Sequence, residues 1–232
     1  MQSETPKVIF EDNHLLAINK PTGWLVQSDR TGDFTALEWA KKYIKVRYNK
    51  PGKVFLSPVH RIDRPASGVV LMGRTSKGLS RMNQLIKDRE VKKVYWLVSM
   101  TAPPEPSARL EHYILKEKMK NQVKAIPINK NPPKKAKKAI LTFELVAEIE
   151  GRFLIRVELE TGRPHQIRAQ MAAIGCSIIG DLKYGAPEPL PDQDIALHAA
   201  QMKFIHPVRK EAVTIVADPP ETEVWRRFKS FL

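Results

Sequence analysis

The stretch ILTFELVAEIEGRFLIRVELE, residues 140–160, constrains the fold more than any other. It reads as two long strands around a turn at Glu150-Gly151. In its second half Phe153, Ile155 and Val157 face one way and Arg152, Leu154 and Arg156 the other, the two-residue period of a pleated strand. More strand signals surround it. KVIFEDNHLLAINKP, residues 7–21, predicts two strands about Asp12-Asn13, and Val69–Met72 and VYWLV, residues 94–98, are short apolar runs that suit buried strands. Two further strands are expected near 197–205 and 212–217.

Helical spacing is rarer. Leu37, Ala40, Ile44 and Tyr48 predict a helix over 35–48, and Ser76 can cap a second running to about Arg89. In TGRPHQIRAQMAAIG, residues 161–175, Pro164 suits a first helical position and Gly175 the stop. A short amphipathic helix is expected near 222–231. Strands outnumber helices and many are joined by hairpins. The expected fold class is therefore α+β, on a large mixed, mostly antiparallel sheet with flanking helices. With no repeat and no long linker, residues 1–232 are expected to form a single domain.

Composition narrows the function. Of 232 residues, 42% are apolar and 28% charged, an ordinary globular balance. No run of about 18 apolar residues proposes a membrane span. The N-terminus lacks the layout of a secretory signal, so a cytoplasmic location is expected. A single cysteine, Cys176, excludes an internal disulfide and a cysteine zinc site, and reads as a small buried residue. The net charge of +14 favours a polyanionic partner, most often nucleic acid. Nine lysines against one acid, Glu117, crowd Lys116–Lys138, where NKNPPKKAKK, residues 129–138, reads as a loop that could follow phosphates or be merely solvated.

Several motifs fail. GVVLMGRT, residues 68–75, approaches a phosphate-binding loop but carries Arg74 in place of lysine and a bulky apolar interior that belongs in a sheet. His60, Arg61 and Asp63 are split by Ile62, unlike a kinase catalytic loop. The six histidines show no metal-ligand spacing. What survives is HRIDRPASG, residues 60–68. Asp63 alone would pass for a turn or capping aspartate, but two arginines flank it in a short loop that feeds a buried strand.

HRIDRPASG resembles the central motif of the RluA-type RNA pseudouridine synthases, H-R-L-D-x-x-T-S-G. Four other blocks follow in that family's order: INKPTG at 18–23, KKVYWLV at 92–98, ETGRPHQIRAQMAAIGCSIIGDLKYG at 160–185 and LHAAQMKFIHP at 197–207. Ile62, Ala66 and Pro164 depart from its usual leucine, threonine and threonine or serine. The resemblance implies isomerisation of uridine to pseudouridine in ribosomal or transfer RNA with no cofactor and no metal. A cytoplasmic monomer is expected, without the separate N-terminal RNA-binding domain that many relatives carry. It gives Asp63 the catalytic carboxylate, acting either as a nucleophile or as a base at the sugar. Arg168 would keep that carboxylate charged. Tyr95 would pack on the uracil, and Arg61 would fill the gap left by the flipped base. His60, Arg64, Lys20, Arg163 and His165 are secondary candidates for substrate contact. The rival expectation is a non-catalytic RNA-binding protein or RNA chaperone that keeps the fold.

Overall fold

Asp12 makes the first turn: its Oδ1 accepts the backbone N–H of His14 and of Leu15, each at 2.7 Å. A computed structural model describes residues 4–117, 121–128, 131–191 and 194–232. The strands, in chain order, are β1 (Lys7–Glu11), β2 (Leu15–Lys20), β3 (Ser57–Pro58), β4 (Ser67–Gly73), β5 (Lys92–Ser99), β6 (Ser107–Lys116), β7 (Val123–Pro127), β8 (Lys137–Ile149), β9 (Arg152–Leu159), β10 (Leu197–Ile205) and β11 (Ala212–Val216). The helices are α1 (Ala36–Arg47), α2 (Ser76–Lys87), α3 (Gln166–Ala173) and α4 (Glu223–Arg226). The chain divides into two compact units. One gathers the residues up to Lys92 with Ala199–Pro220, the other Lys93–His198 with Glu221–Leu232.

In the first unit helices cover both faces of a sheet. Its strands run in the order β1-β2-β4-β10-β11, with β3 on β4. All seven residues of β4 are buried, because both faces of the strand are covered. Alternate residues point to opposite faces. Leu15, Ala17, Val69 and Leu71 join Met82 of α2 and Met202 and Phe204 of β10 in one apolar cluster. Leu16, Ile18, Val70 and Met72 join Ala40 and Ile44 of α1 in another. Helix α1 starts at a capping box: Thr35 Oγ1 accepts Glu38 N–H at 3.2 Å while Glu38 Oε2 accepts Thr35 N–H at 2.8 Å.

Gly68 opens β4 with φ +114° and lies so close to the next strand that a Cβ would sit 2.3 Å from the carbonyl oxygen of Ala199. Both the backbone angle and the contact demand glycine. Gly68→Ala is expected to cost about 2–4 kcal/mol, read as a lower urea midpoint at unchanged slope.

His206 closes the same unit. It is fully buried, its Nδ1 accepts the N–H of Val208 at 3.2 Å and of Arg209 at 2.9 Å, and its Nε2 stands 2.9 Å from Asp12 Oδ2. Two N–H groups on Nδ1 place the ring proton on Nε2. Burial lowers the pKa of His206 below 6.5, and the Asp12 carboxylate pulls it the other way. Burial likewise lowers the pKa of His112, in the second unit. The unfolded chain therefore takes up protons before the folded one. Stability present above about pH 6.5 is lost as the pH falls through the two folded values. A thermal midpoint lower at pH 5.5 than at pH 7.5, with a weaker pH dependence in His206→Gln, is the expected result.

The second unit carries the strand order β5-β9-β8-β6-β7. The hairpin of residues 140–160 is present as β8 and β9, paired antiparallel. Its turn residues Glu150 and Gly151 have φ of +50° and +68°, the twist that a tight hairpin favours. Registers are antiparallel throughout for β5–β9, β6–β8 and β6–β7 as well. The architecture is α+β. Helix α3 ends as expected: Gly175, at φ +83°, donates to Ala172 O and Cys176 to Met171 O, both orphan carbonyls of the last turn.

Four expectations need correction. Thr75, not Ser76, caps α2, since its Oγ1 accepts Gly78 N–H at 3.0 Å. Helix α3 begins at Gln166, and Pro164 lies in the turn before it because His165 takes a left-handed φ of +49°. The C-terminal helix is one turn, Glu223–Arg226, with a 3-10 turn at Lys229–Phe231. Strands β6 and β7 had no clear signal, as their polar residues interrupt any run. Residues 131–136 form the expected loop, whereas Lys137 and Lys138 already belong to β8. Residues 118–120 and 129–130 of the lysine-rich segment lie outside the described residues.

Candidate active site

Asp63 sits in a loop fixed from several sides within the first unit. The Lys20 side chain, with no exposure at all, sends its ammonium to the carbonyls of Pro21 at 2.8 Å and Arg64 at 3.2 Å. His60 Nε2 accepts Leu71 N–H at 3.1 Å, which leaves the ring neutral with its proton on Nδ1. Arg64 donates from Nε to Gly23 O at 2.9 Å and pairs with Asp33 at 2.8 Å. Ile62 packs on the cluster beneath α1, and Ala66 N–H closes a turn on Asp63 O at 3.2 Å. The INKPTG and HRIDRPASG blocks are thus one construction: the first carries the ammonium and carbonyl that hold the second. Lys20, His60 and Arg64 thus each tie the loop to the rest of the unit. Arg61 is exposed at the loop's surface.

The second unit holds Arg168 and Tyr95. Arg168 is buried, 5% exposed. Residues 166–171 are all buried, so α3 has no solvent face there to receive it. Its fork is taken up by Asp181, itself 1% exposed: Nε to Oδ2 at 2.6 Å and a terminal nitrogen to Oδ1 at 2.7 Å. The Arg168 guanidinium also lies 4.9 Å from the centre of the Tyr184 ring. Tyr184 Oη accepts Val123 N–H at 2.9 Å and meets His165 Nδ1 at 2.9 Å. Tyr95 is buried in β5 opposite Val157.

The rest of the ETGRPHQIR block is tied into the fold by hydrogen bonds. Gln166 Oε1 accepts Arg163 N–H at 2.9 Å and Thr161 Oγ1 donates to it at 2.8 Å, while Gln166 Nε2 donates to Ile140 O at 3.0 Å. The Arg163 side chain donates to Lys138 O at 3.0 Å. Asp181 and Tyr184 were missed in the sequence. Their only signal was membership of the GDLKYG end of the fourth block. Missed too was a depression of about 400 Å³ in the first unit whose walls include Lys41, Lys42, Lys45 and Lys53. Burial pushes the Cys176 thiol up to about 11, which suits a packed side chain and not a nucleophile. Among the described residues no group of three His, Cys, Asp or Glu could hold a metal ion, and no helix is long and apolar enough to cross a membrane.

The family described as RNA pseudouridylate synthase matches residues 14–173, a span that includes Lys20, the Asp63 loop, Tyr95 and Arg168. The chain belongs to the RNA pseudouridylate synthase family. Ribosomal large subunit pseudouridine synthase C of Vibrio parahaemolyticus is 32% identical over 94% of this chain and 66% of its own length. The tRNA pseudouridine synthase C of Salmonella typhi is 29% identical over 93% and 86%. The chain spans about two thirds of the length of several such curated pseudouridine synthases. The solved structure of human RNA pseudouridylate synthase domain containing 4 shares the fold, with a TM-score of 0.75 at 20% identity over 93% of this chain and 89% of that one. The pseudouridine synthase fold expected from the resemblance is therefore the one observed.

Proposed function

We propose that this pseudouridine synthase domain, a single catalytic domain, isomerises uridine to pseudouridine in structured ribosomal or transfer RNA. The observation that carries the reading is the bracing of Asp63. A loop tied down through Lys20, His60, Arg64, Ala66 and Gly68 exists to hold one short side chain in place. A solvated turn aspartate needs no buried ammonium beneath it.

The reaction breaks the N1–C1′ bond, turns the base and joins C5 to C1′. Nothing is oxidised and no group enters from outside, so the chain's own residues suffice and no cofactor is called for. Ionised Asp63 starts either route, by attack on the sugar or by removing one of its protons. Tyr95 stacks on the uracil and Arg61 fills the space it leaves in the RNA. A guanidinium that keeps a carboxylate charged must itself stay in place, and the fork on Asp181 holds Arg168 so. The net charge of +14 and the lysine-walled depression suit a long phosphate backbone. The working form is taken to be a cytoplasmic monomer.

The test uses RNA tritiated at uridine C5. An isomerase releases that label to water in a protein-dependent reaction. An RNA chaperone that keeps the fold would anneal or bind RNA and release none.

A further inference from the structure

Lys93 opens the face of β5 that Tyr95 continues, two residues on. A Cβ built on Gly162 would lie 3.4 Å from its Nζ, so the ammonium stands against the bare backbone of the turn that leads into α3. Lys93 therefore links the strand of Tyr95 to the turn before Arg168, all within the second unit. Among the described residues its ammonium has no hydrogen-bond or ion-pair partner. The acids nearby in sequence are otherwise engaged, Glu158 by Arg156 and Glu160 by Arg109. Burial pushes the pKa of Lys93 down, and no charged neighbour offsets it.

Lys93 is half-buried, and a partly desolvated cation without a counter-charge is costly to keep. Most buried charges in proteins are paired, and the fully buried Lys20 spends its protons on carbonyls. An ammonium left unpaired beside a glycine turn is suited to an anion that arrives with the substrate, and the glycine lets that anion approach the backbone. Resting on the function proposed above, we propose that Lys93 is the seat for a backbone phosphate flanking the extruded uridine. It binds and orients the nucleotide and takes no part in bond making.

The probe is uridine 3′,5′-bisphosphate, which carries both flanking phosphates, compared with plain uridine by calorimetric titration. The wild-type protein is expected to favour the bisphosphate about tenfold. Lys93→Met keeps the side-chain stem and should lose that preference, and Lys93→Arg should keep part of it. The thermal midpoint of Lys93→Met should equal or exceed that of the wild type, since a desolvated charge is gone. The rate of tritium release at saturating RNA should be unchanged, with the RNA concentration needed for half saturation raised about tenfold. A preference that survives in Lys93→Met, or one absent from the wild type, overturns the assignment. Failure of the isomerase reading is a separate result, the absence of tritium release by the wild type.

Discussion

Asp63→Asn is expected to lose roughly 10³-fold or more of the rate of tritium release from uridine C5. The amide keeps the size of the side chain but can neither attack the sugar nor take its proton. The loop should not notice the change, because its ties run through Lys20, His60, Arg64 and the backbone of Ala66, not through the Asp63 carboxylate alone. RNA affinity should stay within about threefold, since phosphate contacts supply most of it. The melting temperature should stay close to that of the wild type. A fall in activity matched by a fall in stability would point to a structural aspartate instead.

The second large effect is expected at Asp181. It is 1% exposed and holds the Arg168 fork at 2.6 and 2.7 Å. Asp181→Ala takes both bonds of the fork from a buried guanidinium, and breaking such a pair costs about 3–5 kcal/mol. Removing both partners together, as Arg168→Met with Asp181→Leu, should recover most of that loss, because no buried charge is then left alone. Activity should not return with stability. Denaturant midpoints and tritium release, read on the three proteins, separate the two roles. Recovery of activity in the double variant would show that Arg168 serves packing only.

Much of this was legible in the sequence, for identifiable reasons. The hairpin about Glu150-Gly151 declared itself because β8 and β9 are long and their turn residues tolerate positive φ. VVLM within β4 read as buried because both faces of that strand are covered. Asp63, Tyr95 and Arg168 were singled out through the order of five blocks, not through any local pattern. The partner of Arg168 was invisible because Asp181 lies thirteen residues away beyond a helix stop and a loop, a distance that no helical or strand period spans. His60 and Lys20 were secondary candidates for substrate contact, and their ties into the loop were not legible because Leu71 N–H and Arg64 O are backbone atoms that carry no sequence signal. Strands β6 and β7 were hidden because EHY and VKAIP alternate poorly between apolar and polar residues.

Carbodiimide adducts mark pseudouridine in RNA and stop primer extension, so they report the product itself at its position. Unmodified RNA treated with the wild-type protein should give new stops at one or a few uridines, and the same RNA treated with Asp63→Asn should give none. Identical stops with both proteins would take the chemistry away from Asp63, and with it the account built on its loop.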